Sequence, residues 1–265
     1  MVCGAILALM MVCATPFPTF TPPAPTPAPI GLSPAPPGLP APPAGADAVT
    51  IYYEGFAQVE LIGPTGARVL IDVHVPGALS TRATRKDILL TTHTDSDHFS
   101  MGFVQAFPGE QLMIKAGQIQ RSDVAVHGIA SVHDANETPR PEGGGNYIYL
   151  IEIGGLRIAH FGDIGQDALT SEQLSALGRV DVAITQLANR WSTMSAENRK
   201  GIKLMEQVHP ALIIPTHADA EILKIAVATW PLYCTMDASV RVSAQNLPAE
   251  TRLLVMGEWG ALFCK

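Results

Sequence analysis

Charge is missing from the start of this chain: no Asp, Glu, Lys or Arg occurs between Met1 and Ala46. Thirteen of the 22 prolines fall in that stretch, mixed with Ala, Thr and Gly. Such a composition cannot form a packed core and favours extended, polyproline-like backbone. Basic runs are also absent, and the net charge of -7 excludes a nucleic-acid-binding surface. No internal repeat is present. The four cysteines include no Cys-x-x-Cys pair, so a thiolate metal cluster is excluded. No Ser-His or Cys-His arrangement suggests a protein nucleophile.

What remains divides into three. Residues 1–14 carry a short apolar block, Cys3 to Cys13, about half the roughly 20 residues that a membrane-spanning helix needs. It has the size of the apolar part of a secretory signal. Residues 15–46 read as a disordered linker, and residues 47–265 as a single folded domain with room for a sizeable core. Cys13, which follows the block, resembles the lipidated cysteine of bacterial lipoproteins. That resemblance implies export and a membrane anchor at the cell surface or periplasmic face. A secreted chain is the alternative. Anchored, the linker would act as a stalk on the order of 100 Å long. Cys234 and Cys264 are left, either as a disulfide or as two buried thiols.

Within the domain, residues 56–62 and 67–73 read as strands joined by Gly63-Pro64-Thr65-Gly66, a hairpin. Strands follow at 87–92, 122–127, 147–153 and 156–161, the last two joined by Gly154-Gly155. Helices at 171–177, 195–208 and 220–228 then alternate with strands at 180–186 and 211–215. Terminal strands are expected near 253–255 and 261–263. Two sheet-rich halves with helices outside predict an α/β four-layer αββα sandwich.

The chemistry concentrates in Leu90-Thr91-Thr92-His93-Thr94-Asp95-Ser96-Asp97-His98. Side chains two apart in extended chain point the same way, so His93 and Asp95 can reach one point. A turn at Asp97-His98, with a helix beginning there, would aim that pair at a second. Two imidazoles and two carboxylates so placed form half of a site for two divalent cations. The alternative is a polar loop capping a helix. Further ligand candidates recur past strand ends: His133, Asp163 in His160-Phe161-Gly162-Asp163, and His217 after Pro215-Thr216.

These seven residues resemble the metal ligands of the metallo-β-lactamase superfamily over nearly all of residues 50–265. The segment from Tyr147 through Asp163, with Val180-Asp181-Val182-Ala183-Ile184, is similar to its ascorbate-6-phosphate lactonase-like branch. The resemblance implies a first metal on His93, Asp95 and His133, and a second on Asp97, His98 and His217, with Asp163 bridging. It implies a hydrolase that activates a metal-bridging hydroxide against a small ester, lactone or phosphoester, with Asp97 and Asp163 as catalytic residues. Asp95 departs from the family pattern, which has histidine there. Three carboxylates, two divalent ions and one hydroxide sum to zero charge, so the change is tolerable. It favours harder ions such as Mn or Fe, while Zn stays the family expectation. An iron-dependent redox protein and a degenerate surface-binding protein are the competing functions.

Asp72 is expected to support the metal loop from behind, and His74 to lie near it. Arg190 and Trp191 are candidates for an anionic and an apolar part of the substrate. His127 and His160 read as buried and satisfied, His209 as a helix end. Gly143-Gly144-Gly145 precedes a strand, so it offers no helix N-terminus to an anion and reads as a flexible loop.

Overall fold

A computed structural model of the chain describes residues 35–121 and 123–264. In chain order the strands are β1 (Val49–Tyr53), β2 (Val59–Ile62), β3 (Arg68–Ile71), β4 (Ile88–Thr91), β5 (Glu110–Met113), β6 (Gly117–Gln120) and β7 (Val124–Ser131). They continue as β8 (Asn146–Ile153), β9 (Leu156–His160), β10 (Val182–Thr185), β11 (Leu212–Pro215), β12 (Leu232–Cys234), β13 (Ser239–Val242) and β14 (Arg252–Val255). The helices are α1 (Met101–Ala106), α2 (Ser171–Leu177), α3 (Lys200–Val208), α4 (Ala220–Thr229) and α5 (Gly257–Phe263).

Two sheets result, ordered β13-β1-β2-β3-β4-β5 and β12-β14-β11-β10-β9-β8-β7-β6. Strand alternation builds the layers. Val69, Ile71 and Leu90 face Tyr147, Tyr149 and Ile184 between the sheets, while Leu70 and Leu89 point outward onto Val104 and Phe107 at α1. Ile148, Leu150, Ala183 and Ile213 of the second sheet pack outward against Leu177, Ile202 and Leu223 of α2, α3 and α4. Strands buried on both faces read as continuous apolar runs, as here. The αββα expectation holds.

Several boundaries differ from the sequence reading. Residues 37–40, expected as part of the linker, contact the domain; residues 15–34 of that expected linker lie outside the described residues. Pro37 accepts from the Cys234 amide (3.0 Å), Pro40 accepts from Asn246 Nδ2 (2.7 Å), and Leu39 packs on the core. Prolyl carbonyls remain acceptors, so Pro-rich chain can still dock. The helix expected from 195 starts at Lys200, because Asn198 Oδ1 takes the amides of Ser195 and Lys200 and makes a turn. Residues 261–263 belong to α5, not to a strand. The helix expected at Asp97-His98 begins at Met101, after a turn closed by His98 N–H to the Asp95 carbonyl (2.9 Å). Cys234 and Cys264 form a disulfide. Cys13 and the apolar block lie outside the described residues.

Candidate metal centre

Parallel strands end together, and the ends carry the chemistry. Asp72 follows β3, His93 follows β4, Asp163 follows β9 and His217 follows β11, so one edge of the sandwich collects them. The loop after β4 adds Asp95, Asp97 and His98, and the chain past β7 adds His133. Tyr149 O–H, donating to the Thr91 carbonyl (3.1 Å), ties the two sheets at this edge.

Two trios of donor atoms converge, each within 4.8 Å: His93, His133 and Asp163, and Asp97, His98 and His217. Asp163 faces both. Its Oδ2 lies 4.0 Å from His93 Nε2 and 3.9 Å from His133 Nε2. Its Oδ1 lies 3.3 Å from His98 Nε2 and 3.4 Å from His217 Nε2. Asp95 Oδ2 stands 3.6 Å and 3.7 Å from His93 and His133 Nε2, and Asp97 Oδ2 stands 3.6 Å from His217 Nε2. All seven side chains are thus together, and each imidazole pair has one carboxylate of its own plus one oxygen of Asp163.

The residues fit metal ions on a specific observation. His93 Nε2 and Asp163 Oδ1 are buried without a hydrogen-bond partner, an arrangement that costs stability unless something else binds them. His98 Nε2 and His217 Nε2 sit 3.1 Å apart, close to the roughly 3.3 Å between two nitrogens on one tetrahedral zinc.

Hydrogen bonds from behind set the tautomers. Asp72 is fully buried at the end of β3, in a left-handed conformation (φ 51°). Its Oδ2 accepts from His98 Nδ1 (2.9 Å) and from the Thr92 hydroxyl (2.7 Å), and its Oδ1 from the Thr92 amide (2.8 Å). Thr92 Oγ1 in turn accepts from His93 Nδ1 (3.0 Å). One carboxylate therefore turns the Nε2 lone pair of a histidine in each trio toward the centre. Burial opposes a charge on His98, but Asp72 and Asp163 overcome it and push its pKa up to about 10 in the metal-free protein. Burial, then the charge of His98, push His93 down to about 4. Burial also opposes the Asp163 charge, yet the surrounding imidazoles hold that carboxyl below its usual range.

Other supports carried no sequence signal beyond being polar in apolar surroundings. Asn189 Nδ2 donates to Asp163 Oδ2 (2.5 Å). Asn146, buried at the start of β8, accepts from the Asp163 amide (3.0 Å) and donates to the Phe161 carbonyl (2.8 Å). Ser192 Oγ donates to the Asp163 carbonyl (3.2 Å). Gly162 (φ 54°) has no alternative: a Cβ there would meet Asn146 Oδ1 at 2.3 Å and Thr92 Cβ at 2.7 Å.

The remaining candidates separate. His74 meets the edge of Phe56 (5.5 Å between ring centres), close enough to His98 and Asp97 to feel their charge, and its Nδ1 finds no partner. His160 is buried with Nε2 on the Ala57 carbonyl and Nδ1 on the Gly162 amide, as expected, whereas His127 is only half-buried. His209 ends α3 through its amide on the Met205 carbonyl (2.9 Å). Arg190 and Trp191 lie on a short 3-10 turn and line a cavity of about 310 Å³ with Asp97 and His217. The glycines at 143–145 line a second cavity, about 340 Å³, beside His93, Asp95 and His133. A larger one of about 410 Å³ lies at the β8–β9 turn and holds none of the seven.

Solved structures share the fold. A metallo-β-lactamase superfamily protein of Thermotoga maritima matches with TM-score 0.59 at 18% identity, over 79% of this chain and 98% of its own. Igni18, a metallo hydrolase of Ignicoccus hospitalis, matches with TM-score 0.51 at 16% identity, over 74% and 97%. The metallo-β-lactamase fold protein YhfI of Bacillus subtilis matches with TM-score 0.51 at 9% identity, over 80% and 98%. No curated protein matches significantly. The model of the β-lactamase superfamily domain matches residues 42–217, a span that holds all seven converging side chains and ends on His217, and the chain belongs to that superfamily.

Proposed function

We propose that the chain is a metal-dependent hydrolase with two divalent ions, acting on a small ester, lactone or phosphoester as the ascorbate-6-phosphate lactonase-like resemblance suggests. The observation that carries this reading is Asp163, one oxygen toward each imidazole pair, with its Oδ1 and the neighbouring His93 Nε2 buried without partners. His93, His133 and Asp95 would hold one ion, Asp97, His98 and His217 the other, with Asp163 between them. When bound, such a pair acidifies a shared water and polarises the oxygen of a carbonyl or phosphoryl group.

The chain's own residues do the rest. Asp97 is partly exposed at the cavity beside His217, placed to accept a proton from water. Asn189 fixes the Asp163 carboxylate. Arg190 is positioned for an anionic part of the substrate and Trp191 for an apolar one. With Asp95 in place, both half-sites have two imidazoles and two carboxylate oxygens. Equal donor sets favour the same ion in both, and the oxygen content favours Mn or Fe more than a three-histidine site does. Replacing Asp163 by Ala should abolish hydrolysis across an ester, lactone and phosphodiester panel. Turnover like that of the wild type would remove the mechanism.

Export with a lipid anchor at Cys13 is part of the same reading, supported by the Cys234–Cys264 disulfide, which belongs to an oxidising compartment. Labelled palmitate should be incorporated by the native chain and not by Cys13→Ser; equal labelling of both excludes the anchor.

A further inference from the structure

The cavities flanking the metal centre differ in chemistry. The one beside His93 and His133 has glycines and Glu137 and no Phe, Tyr or Trp. The one beside Asp97 and His217 has four: Tyr53, Phe56, Trp191 and Trp259. Aromatics make up only 6% of the chain, yet two of its three tryptophans are here. Phe56 and Trp191 are 55% and 68% exposed, and they are the aromatic members of the exposed large apolar side chains among the described residues. Exposed rings gathered at a concave site mark a binding surface rather than ordinary scatter. Phe56 is held at φ 50°, a conformation that a bulky residue adopts only under constraint. Its ring centre lies 6.0 Å from that of His217, so a group resting on Phe56 is next to the second ion's ligands. The Arg190 guanidinium stacks 4.7 Å over the Trp191 ring.

A second observation is independent of the rings. Thr216 lines the same cavity, is only 2% exposed, and its Oγ1 has no hydrogen-bond partner. The backbone of Thr216 is satisfied: its amide donates to the Thr185 carbonyl (2.9 Å) and its carbonyl accepts from Tyr53 O–H (3.3 Å). Burial pushes the Tyr53 hydroxyl above its ordinary range, so it stays a donor. Only the threonine hydroxyl is left over, and buried hydroxyls are normally paired.

We infer that this cavity is the recognition lobe for an aromatic ring bearing a hydroxyl group, the ring lying on Phe56 and Trp191 and the hydroxyl pairing with Thr216. The inference rests on the hydrolase reading and narrows it: the preferred substrates are esters of aromatic alcohols or acids rather than small aliphatic lactones. The lobe on the Asp97 side receives the ring, and the smaller remainder points toward Gly143–Gly145.

Two measurements on the metal-loaded full chain test it. In the first, indole fluorescence is followed while ethanol, cyclohexylmethanol, benzyl alcohol and 3-hydroxybenzyl alcohol are titrated in. Benzyl alcohol should bind more tightly than cyclohexylmethanol, and 3-hydroxybenzyl alcohol on the order of fivefold more tightly again, the effect of one hydrogen bond. Trp191→Ala should weaken both aromatic alcohols about tenfold. Thr216→Val should abolish the hydroxyl preference and keep the ring preference, and Thr216→Ser should keep both. In the second, the acetate esters of the same alcohols should show the preference in KM. Equal affinity for all four alcohols, or a hydroxyl preference that survives Thr216→Val, overturns the inference. Ring-selective binding without turnover of any ester sinks the hydrolase reading and leaves the aromatic lobe. Turnover without ring selectivity does the reverse.

Discussion

Asp72 touches no proposed ion, yet it orients one histidine of each trio, directly for His98 and through Thr92 for His93. Asp72→Ala should therefore weaken binding at both half-sites, by roughly 10–100-fold, readable by calorimetric titration with Mn or Zn. Weakening at one half-site alone would contradict the shared support. Asp95→His should shift preference from Mn toward Zn in a competition titration, since it exchanges a hard donor for an imidazole. Away from the centre, burial pushes the Glu54 carboxyl up to about 7. A carboxyl raised on folding contributes stability below its unfolded value of about 4.5, and that contribution is lost as pH rises through about 7. Glu54→Gln should thus raise Tm relative to the native chain at pH 8 more than at pH 5; a pH-independent difference would count against it. The seven converging side chains were legible as types of residue past strand ends. Thr92, Asn146 and Asn189 were not, because their partners lie across the chain and an isolated Asn or Thr has many uses.

Elements with strong periodicity or clear punctuation were readable: the 171–177 helix has Thr170 and Gln173 as a capping box and Gly178 to stop it. Short, weakly patterned ones were not. β1, β5, β6, β12 and β13 have three to five residues each, no shorter as a group than β2 or β4, but they lack the continuous apolar run that marks a strand buried on both faces. Residues 261–263 look apolar enough for a strand, but they continue a helix whose Gly260 packs so close to the Thr235 carbonyl that a Cβ would lie 1.9 Å away. β2, β3 and the start of β4 are joined by a buried ion network, Arg68 to Glu60 (2.7 Å) and to Asp87 (3.2 Å). Arg68→Met leaves two buried carboxylates without their cation and should cost about 3–5 kcal/mol in urea unfolding. A loss below about 1 kcal/mol would mean that the network is better solvated than its burial implies.

On the scale of the molecule, the sandwich followed from the order of strand-rich and helix-alternating halves. The docking of residues 37–40 did not, because composition marks residues 15–46 as linker while the Pro37 and Pro40 carbonyls and Leu39 meet the domain. The Cys234–Cys264 bridge spans 30 residues and ties α5 to β12. In the chain-entropy estimate a loop of that size is worth about 3–4 kcal/mol, so a reductant should lower the unfolding midpoint accordingly.

The claim on which the rest depends is a pair of ions held by side chains from four separate loops. Elemental analysis of the purified chain after reconstitution tests it most directly, with Asp163→Ala alongside. About two equivalents of divalent metal per chain, with both lost or weakened in the variant, is the predicted result. No bound metal in the native chain, or an undiminished two equivalents in Asp163→Ala, would contradict it.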